Sequence, residues 1–321
     1  MNKQKYLLDS REKIVVENKN FFLRIRSTNL NNPVVLFLHG GPGNPNRHAI
    51  MKNLSVLCDI CTIVAWDQTG SGKAYNKEQE KKKISIDSIV EDAHTCIEYL
   101  KKQFHQDKIY IVGHSWGTVV GVLLAQKYPN DIATYVGIGQ FINGVENERI
   151  LYQFVIDKAH ERNDKKGIKE LEEIGQPIQG KYKDNKIAQI RNYLHKYGGA
   201  SYESKKSIWA DVAEGIPLML SEYTITEIFK YIKGMNYSLK YLDISMVDFL
   251  TTAKEIKVPV VLMLGHHDYN CPFELAEQWF NNLIAPSKKL IWFEKSGHCP
   301  QYEENALWCQ TFAKTIFDKN I

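Results

Sequence analysis

The pentapeptide Gly113-His114-Ser115-Trp116-Gly117 lies between an apolar run, "KIYIV", and a helix-patterned run, "TVVGVLLAQKY". A serine framed by glycines at such a junction sits on a sharp, strained turn, and the glycines let strand and helix approach without a Cβ clash. A serine hydroxyl is a poor nucleophile near neutral pH. It needs a general base, and the base needs an orienting acceptor. In a strand-turn-helix setting both are expected downstream, the acid before the histidine. Two loops fit: "VVLMLGHHDYNCP" ends an apolar run and offers Asp268, and "LIWFEKSGHCPQYEE" ends the next and offers His298. The reading is Ser115 as nucleophile, His298 as base and Asp268 as orienter of the histidine.

Other histidines and carboxylates fit these roles less well. His266 and His267 adjoin Asp268 too closely in sequence to turn back onto it, and His48, His94, His105, His160 and His195 lack a partner loop. Asp243 and Asp248 fall in a helix-rich stretch and read as surface or capping carboxylates.

Attack on a carbonyl creates an oxyanion that preorganised N–H donors must meet, each worth about two to three orders of magnitude in rate. One donor is the amide after the nucleophile, that of Trp116. The other comes from a loop after an early strand, where bare backbone can approach the substrate. "LFLHGGPGN" turns from bulky apolar residues to Gly40, Gly41, Pro42 and Gly43 in one step, and Gly41 is the expected donor. "DQTGSGKAY" imitates a phosphate loop, but Asp67 stands where its first glycine belongs and Ala74 replaces the Mg²⁺-binding hydroxyl. It reads as a strand-to-loop turn.

These residues require a frame. "KIVVEN" and "NFFLRIRS" read as an antiparallel hairpin; short apolar runs then alternate with amphipathic helical patterns up to about residue 140 and again from "VPVVLMLG" onward. Near-continuous apolar strands alternating with helices predict a mostly parallel sheet covered on both faces. Between them lie helical patterns such as "ERILYQFVIDKAHER", "NKIAQIRNYLHKY", "TITEIFKYIK" and "SLKYLDISMVDFL". An insertion of that kind between two strands of one sheet is a cap over the edge where its connections emerge. Residues 1–140 and 252–321 form the expected catalytic core, and 141–251 the helical cap.

The 321 residues carry a net charge of +4, with basic residues in short runs that read as solvated faces, which argues against nucleic acid or membrane partners. No signal-peptide pattern opens the chain and no apolar segment reaches spanning length, so a cytoplasmic protein is expected. Six irregularly spaced cysteines suit a reducing compartment. The Cys58-x-x-Cys61 spacing has no second pair to complete a metal site and runs into "TIVAW", which suggests half-buried thiols at a strand entrance.

"HGGPG", "WDQTGSG", "GHSWG", "GHHDYNCP" and "SGH" together resemble the motifs of the proline iminopeptidase-like serine aminopeptidases of the α/β-hydrolase superfamily. The resemblance covers the core on both sides of the insertion. It implies the α/β-hydrolase fold, the triad Ser115, Asp268 and His298, oxyanion donors at Gly41 and Trp116, and Cys271 beside the site. It implies further a metal-free hydrolase without cofactor, removing an N-terminal proline or small apolar residue from short peptides or amino-acid amides. Family members hold the free α-amino group with cap carboxylates. Here Glu146, Glu148, Glu203, Glu214 and Glu222 are available, with Glu214 in "SIWADVAEG" and Glu222 taken as the candidates. Thr69 stands where the peptidases usually carry arginine. The alternatives are an esterase or lactonase with the same triad and, more remotely, a non-catalytic ligand-binding protein on the same fold.

Overall fold

The computed structural model describes residues 6–16, 19–81, 83–202 and 215–321. Eight strands, β1 (Leu8–Val16), β2 (Lys19–Ser27), β3 (Val34–Leu38), β4 (Thr62–Asp67), β5 (Ile109–His114), β6 (Ile132–Ile138), β7 (Val260–Gly265) and β8 (Lys288–Phe293), form one sheet. Their order is β1-β2-β4-β3-β5-β6-β7-β8. The hairpin β1–β2 and the β2–β4 pair are antiparallel; all pairs from β4 to β8 are parallel.

Period-two alternation explains why the apolar runs form strands buried on both sides. Along β3, Leu36 and Leu38 face a core shared with the helices Ile86–Phe104 and Trp116–Lys127, while Val35 and Phe37 face a second core under the helices Arg47–Asn53 and Asn305–Phe317. Helix Ile86–Phe104 begins where Ser85 and Ser88 exchange backbone caps and ends at His105 in the left-handed region. Cys58 and Cys61 are fully buried before β4, and burial pushes the Cys61 thiol well up.

Between β6 and β7 the chain runs through helices Gly144–Glu161, Lys165–Ile174, Ile187–Tyr197, Ile225–Tyr241 and Phe249–Thr252. The first three enclose their own apolar cluster around Leu151, Val155, Leu171, Ile190 and Leu194. "TITEIFKYIK" and "SLKYLDISMVDFL", expected as separate helices, behave differently: one helix runs through both and stops at Tyr241, and Leu242 to Val247 are not helical. Gly234 does not break it. A Cβ there would lie 2.8 Å from the Gly70 carbonyl, so the glycine lets the helix rest directly on the loop after β4. Asp248 caps the short helix that follows, and Asp243 pairs with Lys181 at the surface. Among the described residues no helix is long and apolar enough to cross a membrane.

The parallel strands all end on one edge. The loops after β3, β4, β5, β7 and β8 converge there and carry Gly41, Gln68, Ser115, Asp268 and His298 respectively.

Candidate active site

The turn that carries Ser115 is built from core residues. Ser115 adopts φ 54° and ψ −121°, a conformation that a non-glycine residue holds only when its surroundings over-determine it. They do: its N–H donates to Ile138 O at 3.0 Å, and its carbonyl accepts from Thr118 N at 2.8 Å and Thr118 Oγ1 at 2.6 Å. Gly117 sits so close to β3 that a Cβ would lie 2.1 Å from Leu38 O. The Trp116 amide opens the helix and belongs to the first-turn donors that have no acceptor within it.

The loop around Gly41 is fixed by a buried polar network. Gly41 takes φ 120°, which an L side chain resists. His39 Nδ1–H donates to Gly40 O at 2.8 Å, and its Nε2 accepts from Gln68 N at 3.2 Å. The Gln68 amide in turn donates to His39 O at 3.1 Å and accepts from the Trp116 indole at 2.8 Å. Burial pushes His39 down to about 4, so the ring is neutral near pH 7 and the tautomer these bonds require is the one present. The "DQTGSGKAY" segment is indeed a structural turn. Asp67 is buried with Arg47 at 3.1 Å and Tyr223 OH at 3.0 Å, and Thr69 donates to the buried Asp92 at 2.6 Å.

The base side combines two loops. His298 Nδ1–H donates to Asp268 Oδ2 at 2.8 Å, and Asp268 Oδ1 accepts from the amides of Asn270 and Cys271, both at 2.9 Å. Three donors on a buried carboxylate keep it an acceptor and set the ring's tautomer and plane. Two neighbours that sequence reasoning did not weigh hold the His298 loop. The Glu303 carboxylate accepts from Gly297 N at 3.1 Å and Cys299 N at 3.0 Å, the residues on either side of the histidine, and from Tyr202 N at 2.7 Å. Glu304 accepts from Lys295 N at 2.9 Å and Ser296 Oγ at 2.7 Å. The only hint in the sequence is an acid pair one turn past the histidine.

The cap also grips this side. Gly199 O accepts from Tyr269 N at 2.8 Å and Ala200 O from His298 N at 2.9 Å, so one strand of cap backbone ties the two loops together. Asn147, on the first cap helix, donates to Asn270 O at 3.1 Å.

Ser115 and His298 are not hydrogen-bonded to each other. The partner of Ser115 Oγ is the buried Cys271 thiol at 4.0 Å, and His298 Nε2 is met by the Asn270 amide nitrogen at 3.0 Å. Burial pushes the Cys271 thiol well above its ordinary value, so it stands beside the serine as a neutral thiol.

Glu222, expected to hold a substrate amine, is engaged elsewhere. Its carboxylate accepts from Arg24 at 3.0 Å and Arg11 at 3.0 Å, joining the cap to the β1–β2 hairpin. Burial acts to raise its pKa, but Arg11 and Arg24 outweigh burial and hold the carboxyl below the usual range. Glu203 and Glu214 lie outside the described residues. Glu146 pairs at the surface with Arg149 at 2.8 Å. Glu148, buried like Glu222, is forked by Arg191 at 2.9 and 2.5 Å and lies 3.4 Å from the Asn147 amide nitrogen. Among the described residues, His94, Glu98 and Asp131 have metal-like spacing, but the Lys101 ammonium already bonds both carboxylates.

Comparison with known proteins bears on the fold and the family. The α/β-hydrolase fold model matches residues 33–166 and a prolyl oligopeptidase family model residues 212–314. The chain is 28% identical over 94% of its length to a probable aminopeptidase, YbaC, of Bacillus subtilis, covering 95% of that protein. It is 30% identical to a proline iminopeptidase of Thermoplasma volcanium, with 89% of each chain covered. Among solved structures, the proline iminopeptidase of Mycobacterium smegmatis superposes with a TM-score of 0.65 at 14% identity, over 96% of this chain and 98% of that one, a likeness of fold. The chain belongs to the proline iminopeptidase-like family of α/β-hydrolases.

Proposed function

We propose that the protein removes an N-terminal residue, proline or small and apolar, from short peptides or amino-acid amides through an acyl-enzyme on Ser115. The observation that carries the reading is the Asp268–His298 pair at 2.8 Å beside a serine held at φ 54° on a strand-to-helix turn. In the reaction His298 Nε2 takes the Ser115 hydroxyl proton as Oγ bonds to the scissile carbonyl carbon. The resulting oxyanion is met by the Gly41 and Trp116 amides. His298 then delivers the proton to the leaving nitrogen, the C–N bond breaks, and water repeats the sequence on the ester to release the acid. No step calls for a metal or cofactor.

Glu148 is the cap carboxylate best connected to this site, through Asn147 and Asn270 to His298. An α-amino group would share it with Arg191. That same pairing supports a second reading, an esterase or lactonase, because Arg191 already neutralises Glu148 and Arg11 and Arg24 neutralise Glu222. Comparing prolyl and alanyl p-nitroanilides, free and N-acetylated, with short-chain p-nitrophenyl esters separates the two. Turnover of free anilides that acetylation abolishes supports the peptidase; turnover of esters alone overturns it.

A further inference from the structure

An imidazole nitrogen carries one lone pair. With the Nδ1 proton committed to Asp268 at 2.8 Å, the Nε2 lone pair of His298 is the position from which the Ser115 proton must be taken, and the Asn270 side-chain N–H occupies it at 3.0 Å. We propose that Asn270 is a positioning residue that holds His298 at rest and yields it to Ser115 when a substrate carbonyl accepts the amide instead; the proposal rests on the triad reading above.

Three features of the geometry support it. The backbone of Asn270 is pinned at both ends, its N–H on Asp268 Oδ1 at 2.9 Å and its carbonyl on Asn147 Nδ2 at 3.1 Å, so release requires only side-chain rotation. The side chain is only half-buried, so it is not locked in place by a surrounding core. Ser115 Oγ has only the long Cys271 contact at 4.0 Å to give up, so moving from that thiol to a freed Nε2 is downhill. A substrate that supplies an acceptor oxygen beyond the scissile bond, as a peptide does, releases the latch. A simple ester has no such oxygen and must compete with Asn270 unaided. The residue thereby favours peptides over esters of equal intrinsic reactivity.

The test uses the full chain as wild type, Asn270→Ala, the near-isosteric Asn270→Leu, and Ser115→Ala, each assayed well below its own melting temperature. A small alkyl fluorophosphonate is the probe: Oγ bonds to phosphorus, the P–F bond breaks, fluoride leaves and His298 accepts the proton. Removing one neutral hydrogen bond from the resting base should speed labelling about five-fold in both Asn270 variants. The ratio of kcat/KM for alanyl-alanine amide to that for phenyl acetate should fall by about the same factor or more. A merely disturbed loop would slow both reactions. Labelling no faster than wild type in either variant overturns the latch while leaving the triad intact. Undiminished labelling of Ser115→Ala overturns the catalytic reading itself, and the latch with it.

Discussion

Ser115 and His298, the proposed nucleophile and base, are held by different parts of the molecule. Ser115 is fixed by Thr118 and Ile138 and the loop around Gly41 by the His39–Gln68–Trp116 network, all core residues, although the same loop also meets the inserted helices where Tyr231 OH donates to Asn44. His298 and Asp268 depend also on the cap, through Gly199, Ala200, Tyr202 and Asn147. The difference teaches that the strained, costly half of the site is built into the sheet, where packing can over-determine it. The half that carries the proposed base is tied to the helical insertion as well.

Several substitutions bear on that division. Asp268→Asn should lower kcat by about 10⁴-fold with the fold intact, because the amide cannot orient the proton-bearing Nδ1. On the Ser115 side, the buried ring of His39 is held down to about 4 by burial. The unfolded chain binds this proton from about pH 6.5 downward while the native one refuses it. Its contribution to stability is therefore complete above about pH 6.5 and drains away as the pH falls toward 4, on the order of 3 kcal/mol. Thermal melts from pH 7 to pH 4 should show the loss, and a flat profile would contradict the buried neutral state.

Glu222→Gln removes one of the two carboxylates on Arg24, leaving Asp9 in place, and should cost about 1 kcal/mol of stability while KM for peptide substrates stays within two-fold. A large rise in KM would instead return Glu222 to the substrate. Glu303→Gln, which weakens the grip on both neighbours of His298, should lower kcat by about ten-fold at unchanged KM. Glu304→Gln, which touches only the start of the loop, should leave both constants near wild type; equal losses in the two would show a general loosening rather than placement of the base.

The strands and the order of Ser115, Asp268 and His298 were legible because each residue follows an apolar run with a glycine-marked turn, a purely local signature. Asp248 as a cap was legible too, whereas Cys58 and Cys61, expected half-buried, are fully buried. Glu222 was not: the arginines that claim it, Arg11 and Arg24, lie about two hundred positions earlier in the chain, and no local pattern ties them. Gly234 looked like a helix break because its purpose, close approach to Gly70, lies in another loop. Asn270 was hidden differently. It sits inside a recognised motif, but its role depends on where the His298 ring arrives, 28 residues on.

The measurement that tests the central claim most directly is the kcat of Ser115→Ala against wild type on alanyl p-nitroanilide, with circular dichroism verifying the fold. Loss of the nucleophile should lower kcat by about a million-fold. Turnover close to the wild-type rate in the folded variant would mean that the chemistry is done elsewhere.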